Sequence, residues 1–298
     1  MAVHRHRFRA MGTYIEVLGS AAEDDRTFTR AVQRVERTFT REDGRCSRFR
    51  DDSELSAVNR RAGRPTVLSP GLTSIVRQAL AAAERTEGRF DPTVLDAVVA
   101  AGYDRDFDEV LSGARAELRP TRPCGRWRQV VLEDDVLLLP TGVGLDLGGI
   151  AKGWTVDLAI AEALDERLSW VVVNAGGDLR VDGDAPPQGV DVGVEDPQAP
   201  GMELLVLQLE AGAIASSSTT RRAWGEGLHH LIDPSTGKPA STGILQATVW
   251  APTCAEAEIL AKDTLLRGED ALERTLGVLV TDDGRVVTNL TSRRVEAA

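Results

Sequence analysis

The segment with the clearest chemical potential spans residues 145–154 and reads LDLGGIAKGW. Asp146 precedes the pair Gly148 and Gly149, and Lys152 lies in the first turn of a predicted helix. Paired glycines let the backbone approach a ligand closely, and the N–H groups at a helix start favour an anion such as phosphate. The segment therefore predicts a phosphate-binding turn. A plain strand-to-helix turn with a surface lysine is an equally compatible interpretation of these residues alone.

A second glycine pair, Gly176 and Gly177, follows the most apolar run of the chain, residues 170–173. Asp178 and Arg180 come directly after it. The pattern is typical of a ligand-binding loop whose charged residues orient a substrate or a phosphate. Taken alone, it fits a β-turn with a nearby salt bridge better.

Two adjacent histidines, His229 and His230, precede an Asp-Pro turn. A histidine at a strand end can act as a general base near neutral pH. We take His230 as the candidate base, and a partly buried structural histidine is the alternative. The other two histidines, His4 and His6, lie at a chain start that we expect to be mobile.

The pattern Pro252-Thr253-x-x-Glu256 is a capping box, which predicts a helix that begins there. On this helix Glu258 and Lys262 are four residues apart, in the order that favours an ion pair. The default interpretation of the two residues is an exposed ion pair that contributes a few tenths of a kcal/mol at most.

The elements that must position these residues are helices and strands in no steady alternation. Periodicity predicts helices over residues 21–39, 55–60, 70–87, 94–99, 150–164 and 253–266, and strands over 13–18, 129–132, 136–139, 169–181, 190–194, 204–209, 228–232, 245–250, 278–281 and 285–288. Residues 41–54 are predicted to form mainly a loop, and residues 105–128 a surface excursion. We therefore predict an α+β protein, with mixed or antiparallel sheets and packed helices, in a single domain over residues 1–298.

The amino-acid composition argues against several classes of protein. The 298 residues include 35 Lys plus Arg against 46 Asp plus Glu, a net charge of −11, which argues against a nucleic-acid partner. The three cysteines are far apart, so neither a disulfide framework nor a zinc site is indicated. The chain start lacks the apolar region of a signal peptide, and no apolar run reaches the ~20 residues of a membrane helix. We expect a cytoplasmic protein without a membrane segment.

The order of the motifs resembles the ApbE-like family of FAD:protein FMN transferases. The matching segments are RAMGTYIEV (9–17), CSRFRDDSELSAVN (46–59), GRFDPTV (88–94), LDLGGIAKGWTVD (145–157), VVNAGGDLRVDG (172–183), AIASSSTTRRAW (213–224), HLIDPSTGKPA (230–240) and VWAPTCAEAEILAK (249–262). So many motifs in order are more specific than any one of them. The resemblance covers nearly the whole chain and implies an ApbE-like, T-fold-like architecture.

The resemblance also implies a function. It indicates a flavoprotein transferase that takes FAD as its substrate, uses Mg²⁺ as a cofactor and moves FMN onto a Thr or Ser hydroxyl of a flavin-accepting protein. Two alternatives use the same pocket: a non-catalytic FAD-binding module, and a Mg²⁺-dependent hydrolase that converts FAD to FMN and AMP.

The resemblance assigns catalytic roles to His230 and Lys152. It assigns cofactor contacts to Met11, Phe49, Phe90, Asp91, Pro92, Asp146, Lys152 and Ile232, and we add Gly148, Gly149 and Asp178 from the two glycine turns. Arg180 and the pair Arg221 and Arg222 are further candidates for orienting the substrate. The family position of Phe49 often holds Tyr, so Phe keeps the stacking face and loses a hydroxyl.

The metal ligands that the resemblance implies are the Gly149 carbonyl, Glu258 and, through water, Asp263. The family usually has Asp and Thr where this chain has Glu258 and Lys262. Since an ammonium group has no lone pair, Lys262 cannot be a ligand. Either the remaining oxygens and several waters hold Mg²⁺, or Lys262 supplies part of the cation's charge. A second departure is SSSTTRR at residues 216–222, where relatives commonly have Asp and Tyr before the arginines.

Overall fold

The computed structural model describes residues 3–21, 25–112, 124–186, 188–290 and 294–295. The helices are α1 Asp25–Cys46, α2 Glu54–Asn59, α3 Pro70–Arg85, α4 Leu95–Ala100, α5 Phe107–Ser112, α6 Ala151–Asp165 and α7 Cys254–Arg267, with 3-10 turns at Arg126–Gln129 and Glu269–Glu273. The strands are β1 His4–Ala10, β2 Thr13–Ala21, β3 Thr66–Val67, β4 Val131–Glu133, β5 Val136–Leu138, β6 Leu168–Ala175, β7 Asp178–Gly183, β8 Val190–Glu195, β9 Glu203–Leu209, β10 Gly212–Ser218, β11 Ala223–Gly225, β12 Leu228–His229, β13 Ile232–Asp233, β14 Lys238–Pro239, β15 Ile244–Ala251, β16 Gly277–Thr281, β17 Val286–Thr288 and β18 Arg294–Val295.

These elements form two compact units. Unit 1 comprises Met1–Arg41, Lys152–Ser218 and Gly243–Ala298, and unit 2 comprises Glu42–Ala151 and Thr219–Thr242. The prediction of a single domain over residues 1–298 stays a prediction.

Unit 1 is built on an eight-stranded sheet in the order β1-β2-β6-β7-β10-β15-β16-β17, with antiparallel neighbours throughout. Strand β6 shows why its sequence is continuously apolar. Val171 and Val173 lie in one core cluster, whereas Trp170 and Val172 lie in another. Since successive side chains of a strand point to opposite faces, a strand covered on both faces needs apolar residues at every position.

Helices α1, α6 and α7 cover one face of this sheet, and a smaller sheet in the order β18-β9-β8 covers the other. Residues that share the helix-side core include Phe28, Val35, Phe39, Val156, Ile160, Ala257 and Ala261. The opposite core combines β6, β7 and β10 with Val192, Val194, Leu207 and Leu209. Unit 1 is therefore a layered structure of helices, a large sheet and a small sheet.

The start of α7 is fixed against α6 by direct contacts. The Asp157 carboxylate accepts hydrogen bonds from the N–H groups of Cys254 and Ala255, both at 2.9 Å. Thr253 caps α7, since its hydroxyl accepts the Glu256 N–H at 3.3 Å, and the predicted helix start is confirmed. These bonds satisfy N–H groups that a helix start leaves without a partner in the helix itself.

Unit 2 contains α2 to α5, a three-stranded sheet in the order β3-β5-β4 and two short two-stranded ladders, β11-β12 and β13-β14. Its helices α2 and α3 begin at the N-caps Ser53 and Ser69, whose side chains accept backbone N–H groups. One of its cores combines α4 residues such as Val98 with Tyr103 and Ile232. Part of the predicted surface excursion, residues 113–123, lies outside the described residues.

His229 has a structural role in unit 2. Its Nε2 lies 3.0 Å from the Ala240 carbonyl oxygen, and its Nδ1 lies 3.3 Å from the Leu231 amide nitrogen. A carbonyl only accepts, so Nε2 carries the hydrogen and Nδ1 accepts from Leu231. Burial lowers the pKa of His229 from its ordinary value of 6.5, against the opposing effect of the bond to Ala240. The folded protein therefore favours the neutral imidazole.

The α+β prediction, with mixed or antiparallel sheets and packed helices, is confirmed; every strand pairing in the described ranges is antiparallel except that of β18 with β9. The T-fold-like label stays a prediction. Within the described ranges, no helix is both long and apolar enough to cross a membrane.

Several local predictions were wrong. Helix α1 runs to Cys46 instead of ending near residue 39, because Glu42 and Arg45 pair across one turn and Cys46 is buried. The predicted strand 169–181 is a hairpin of β6 and β7 that turns at the glycine pair. The start with His4 and His6, predicted to be mobile, forms the edge strand β1.

The close approach of α6 and α7 depends on Gly153. A Cβ added there would lie 2.5 Å from the Cys254 carbonyl oxygen, a backbone atom that cannot rotate away. We expect Gly153→Ala to lower the free energy of unfolding by about 1–3 kcal/mol, as in other overpacked sites. Urea unfolding followed by circular dichroism measures this change.

Gly44→Ala in α1 is the matched control, since a Cβ there would meet no atom of the described chain within 4 Å. We expect it to raise the free energy of unfolding by about 0.5–1 kcal/mol, because alanine favours the helix. Equal effects of the two substitutions would contradict the role given to Gly153.

A second prediction concerns the pH dependence of stability. Because the pKa of His229 is lower in the folded protein, the unfolded chain binds more protons between that pKa and 6.5. The contribution of His229 is therefore complete above 6.5 and lost as the pH falls below this value. We expect His229→Gln to flatten the fall in unfolding free energy on the acid side, measured by urea unfolding at a series of pH values. Parallel curves for the two proteins would rule this out.

Candidate active site

Four charged side chains of unit 1 form one cluster, called here the ion cluster: Lys152, Asp178, Glu258 and Lys262. The Lys152 ammonium donates to Glu258 Oε1 at 2.7 Å and also to Asp178 Oδ2. Lys262 Nζ lies 3.4 Å from the same Oε1 and 3.3 Å from the main-chain oxygen of Glu258. The Gly153 N–H donates to Glu258 Oε2 at 2.9 Å. Glu258 is thus the centre of the cluster.

The ion cluster is buried and internally balanced in charge. The Glu258 side chain is 1% exposed, and those of Lys152 and Lys262 are 15% and 17% exposed. Two ammonium groups face two carboxylates. The prediction of an exposed Glu258–Lys262 pair was wrong, because Glu258 is buried against the first turn of α6, which adds Lys152 as a third partner.

Burial and neighbouring charges act in opposite directions on these groups. Burial raises the pKa of Glu258, but Lys152 and Lys262 outweigh it and lower that pKa to about 2. Burial lowers the pKa of Lys262, against the attraction of Glu258. Burial raises the pKa of Asp178, against the attraction of Lys152. Glu258 therefore keeps its negative charge at neutral pH.

The Mg²⁺ ion that the resemblance implies does not fit this donor set. Mg²⁺ in proteins is bound by one or two carboxylates together with waters and substrate phosphates, whereas both carboxylates here are already paired with lysines. An ammonium about 4 Å from a divalent ion would repel it by roughly 8 kcal/mol at an effective dielectric constant of about 20. Asp263, another predicted ligand, pairs with Arg267 at 3.6 Å. Across the described ranges, no group of three or more His, Cys, Asp or Glu side chains is arranged to hold a metal.

Arg180 acts on the same helix junction. Its guanidinium donates to Asp157 Oδ1 at 2.9 Å and also pairs with Asp182. Asp157 is the carboxylate that binds the start of α7. Arg180 thus stabilises the geometry from which Glu258 projects.

Unit 2 contains an aromatic group, called here the aromatic shelf: Arg48, Phe49, Tyr103 and Trp224. The ring centroids of Phe49 and Tyr103 are 5.3 Å apart, and those of Tyr103 and Trp224 are 5.4 Å apart. The Arg48 guanidinium carbon lies 4.0 Å from the Phe49 centroid and 4.5 Å from the Tyr103 centroid. Phe49 is 39% exposed although Tyr103 is only 7% exposed. Such a shelf suits a flat aromatic ligand.

Asp146 connects the aromatic shelf to the first glycine turn. Its carboxylate pairs with Arg48 Nε at 3.1 Å and accepts the Gly148 N–H at 2.7 Å. Its own N–H donates to the Pro92 carbonyl at 2.8 Å. The structure therefore brings Phe49, Asp146 and Gly148 together through Arg48, and Gly149 is the next residue of the same turn.

The predicted contact residues around Asp91 are mostly buried. Asp91 Oδ1 accepts from the Thr93 N–H and hydroxyl at 2.7 and 2.6 Å, and its Oδ2 accepts the Gly125 N–H at 2.7 Å. Phe90 is 4% exposed, and Ile232 is 7% exposed beside Tyr103 in the core. These residues hold the shape of unit 2, and their predicted contact with a ligand stays a prediction.

Met11 and His230 lie in tight connections. Met11 and Gly12 have φ angles of 48° and 68° in the turn between β1 and β2, a geometry of type I′. A side chain larger than that of Gly or Asn at positive φ is uncommon, and such strain concentrates at functional sites. His230 is half-buried between β12 and β13.

The structure thus divides the predicted site residues between the two units. Unit 1 contains Met11, Lys152, Asp178, Glu258 and Asp263, and unit 2 contains Phe49, Phe90, Asp91, Pro92, Asp146, Gly148, Gly149, His230 and Ile232. Sequence reasoning missed Arg48, Tyr103 and Trp224. Since only 4% of the residues are aromatic, each Tyr and Trp could have been considered a candidate stacking residue from the sequence alone.

Comparisons with known proteins agree with this fold. A curated FAD:protein FMN transferase of Treponema pallidum is 32% identical over 245 residues, which cover 74% of this chain and 66% of that protein. One from Vibrio cholerae is 28% identical over 271 residues, covering 84% and 79%. The structure superposes on the solved ApbE protein of Thermotoga maritima with a TM-score of 0.83 at 23% identity, covering 97% of this chain and 98% of that chain.

The aligned part of this chain spans just under two thirds of the Treponema protein, and 49% of a relative from Rhodobacter capsulatus. A flavin transferase structure from Vibrio cholerae superposes with a TM-score of 0.79 at 23% identity, covering 96% and 97% of the two chains. The model of the ApbE family matches residues 11–279, which is most of the chain. This chain therefore belongs to the ApbE family.

Proposed function

We propose that this protein transfers FMN from FAD onto the hydroxyl of a Thr or Ser side chain in an acceptor protein. The observation that carries the proposal is the family match over residues 11–279, a range that includes every residue given a role below. Curated relatives named FAD:protein FMN transferase in several bacteria support it.

The proposed reaction is a displacement at phosphorus. The acceptor oxygen attacks the phosphorus on the flavin side of the FAD diphosphate, the bond from that phosphorus to the bridging oxygen breaks, and AMP leaves. The product is a phosphodiester between FMN and the acceptor. We assign the acceptor's proton to His230, because a neutral imidazole accepts a proton near neutral pH.

The aromatic shelf is assigned to the flavin ring. Phe49 is 39% exposed, and Arg48 and Tyr103 lie against its ring. Phe90, Asp91, Pro92, Asp146 and Ile232, all of unit 2, are assigned contacts or support at this end of the substrate. A ring face gives contact area without requiring a hydrogen bond, so Phe serves where relatives have Tyr.

The diphosphate needs positive charge, because negative charge grows on the leaving phosphate as the bond breaks. We assign this role to Lys152, whose position is held by Asp178 and Glu258. The Gly148 and Gly149 turn is assigned further backbone contacts, and Arg221 and Arg222 are candidates on the acceptor side. Mg²⁺ has no part in this proposal, because its donor set is already neutralised.

The proposal is tested by incubating the protein with FAD and a Ser- and Thr-containing peptide library. We expect AMP and flavinyl peptide in equal amounts, measured by chromatography and mass spectrometry. His230→Gln should slow the transfer by about 10²–10⁴-fold, the usual contribution of a general base, with FAD binding retained. His6→Gln on the edge strand β1 is the matched control and should leave the rate unchanged.

Two outcomes would contradict transfer. AMP with free FMN and no labelled peptide would identify a hydrolase. FAD binding without any AMP release would identify a binding module. A library with Ala and Val in place of Ser and Thr checks that the hydroxyl is the acceptor.

A second experiment tests the aromatic shelf. We expect Phe49→Ala to raise the Kd for FAD about tenfold, because a lost aromatic stacking contact costs about 0.5–1.5 kcal/mol beyond the buried area. Phe49→Tyr should bind FAD as tightly as the unchanged protein. Quenching of flavin fluorescence measures both values.

Val67→Ala is the control for this experiment, since Val67 is an exposed apolar residue of unit 2 on strand β3. It should not change the Kd. If Phe49→Ala and Val67→Ala bind FAD equally well, the shelf does not hold the flavin.

A further inference from the structure

Lysine is rare in this chain, and two of its three lysines meet at one carboxylate. Of the 35 basic residues only Lys152, Lys238 and Lys262 are lysines, and the other 32 are arginines. Two of the three lysines lie on the carboxylate of Glu258. In a chain that uses arginine almost everywhere else, two ammonium groups at one buried carboxylate indicate a requirement for compact charge.

The chemistry of the two side chains explains that requirement. A guanidinium is planar and spreads its charge over a fork of five N–H donors, whereas an ammonium concentrates one charge on a single atom. Both lysines contact the same oxygen, Glu258 Oε1, at 2.7 and 3.4 Å. Each ammonium reaches this oxygen as a compact point charge, without the planar fork of a guanidinium.

Lys262 contributes more than a surface ion pair would. Its ammonium turns back along α7 to Glu258, where it meets both the carboxylate and the main-chain oxygen of that residue. Its side chain is only 17% exposed. The ammonium is therefore held at a defined position on the same carboxylate as Lys152.

We infer that the ammonium group of Lys262 is a built-in cation that replaces a divalent metal ion, so that this protein carries out flavin transfer without Mg²⁺. Lys262 adds one positive charge at the position where the resemblance implies a metal ligand, and Lys152 lies on the same carboxylate. Asp178 and Glu258 hold these charges in place. The inference rests on the proposed transfer of FMN and adds how the diphosphate charge is neutralised.

The first test measures metal binding without any reaction. Titration of the unchanged protein with MnCl₂, followed by the electron paramagnetic resonance signal of free Mn²⁺, should show no bound metal. The second measures AMP release from FAD with the peptide library in EDTA and in MgCl₂. We expect rates that agree within about twofold, because no metal takes part in stabilising the transition state.

Substitution of Lys262 should create the opposite behaviour. Lys262→Thr removes one positive charge and puts a hydroxyl oxygen one helical turn from Glu258, so the variant should bind Mn²⁺ stoichiometrically. Its AMP release should fall by about 100-fold in EDTA and recover with MgCl₂, since a lost charge contact to a transition state costs that order of rate. Lys262→Met removes the charge without adding an oxygen, and its loss should not be recovered by MgCl₂.

Lys238→Thr is the matched control, because Lys238 is an exposed lysine of strand β14. It should neither bind Mn²⁺ nor need MgCl₂. Thermal unfolding checks that each variant folds, and if the Lys262 variants do not fold, the two measurements on the unchanged protein decide alone.

Stoichiometric Mn²⁺ binding by the unchanged protein, or activity that EDTA removes and MgCl₂ restores, would overturn the inference. If no AMP is released under any condition, the proposed transfer fails. The Mn²⁺ titration still supports or overturns the built-in cation in that case, because it does not depend on turnover.

Discussion

A carboxylate buried as deeply as that of Glu258 is stable only when opposite charges and N–H donors surround it. Three donors from two helices meet this need: the Lys152 ammonium and the Gly153 N–H from α6, and the Lys262 ammonium from α7 itself. Lys152 and Gly153 are adjacent in sequence. The contacts of Lys152 and Gly153 with Glu258 therefore fix the first turn of α6 against α7.

This electrostatic requirement is matched by packing. Gly153 lets α6 approach the backbone of α7, and Asp157, one turn later, binds the N–H groups at the start of α7. Asp178 and Arg180 lie two residues apart on β7, so they point to the same face of the strand, where one binds Lys152 and the other Asp157. Charge and shape thus select the same arrangement of three elements.

Much of this could be predicted from the sequence, because local signals carried it. The capping box set the start of α7, and the glycine pairs marked both turns. The burial of Glu258 could not be predicted, because an acidic and a basic residue four positions apart show the same sequence pattern on an exposed and on a buried helix face. The neighbours Ala257 and Ala261 are too small to give α7 a clear apolar stripe. Strand β10 was missed for a similar reason, because its Ala and Ser residues have weak strand preference.

The aromatic shelf could not be predicted from the sequence for a different reason. Arg48, Tyr103 and Trp224 come from separate parts of the chain, and no local pattern links residues that meet only through tertiary contacts. The residues of the ion cluster are also far apart in sequence, but Lys152, Asp178 and Glu258 each lie in a motif that the sequence analysis had singled out. The sequence alone did not show that two ammonium groups and two carboxylates meet in this cluster.

A lysine ammonium is covalently attached and keeps its position at any ion concentration, whereas the occupancy of a metal site depends on the concentration of the free ion. Each lysine carries only a single charge, and the repulsion between two lysines must be offset by carboxylates beside them. The balance of two ammonium groups against two carboxylates is what allows both lysines to lie together at one buried position.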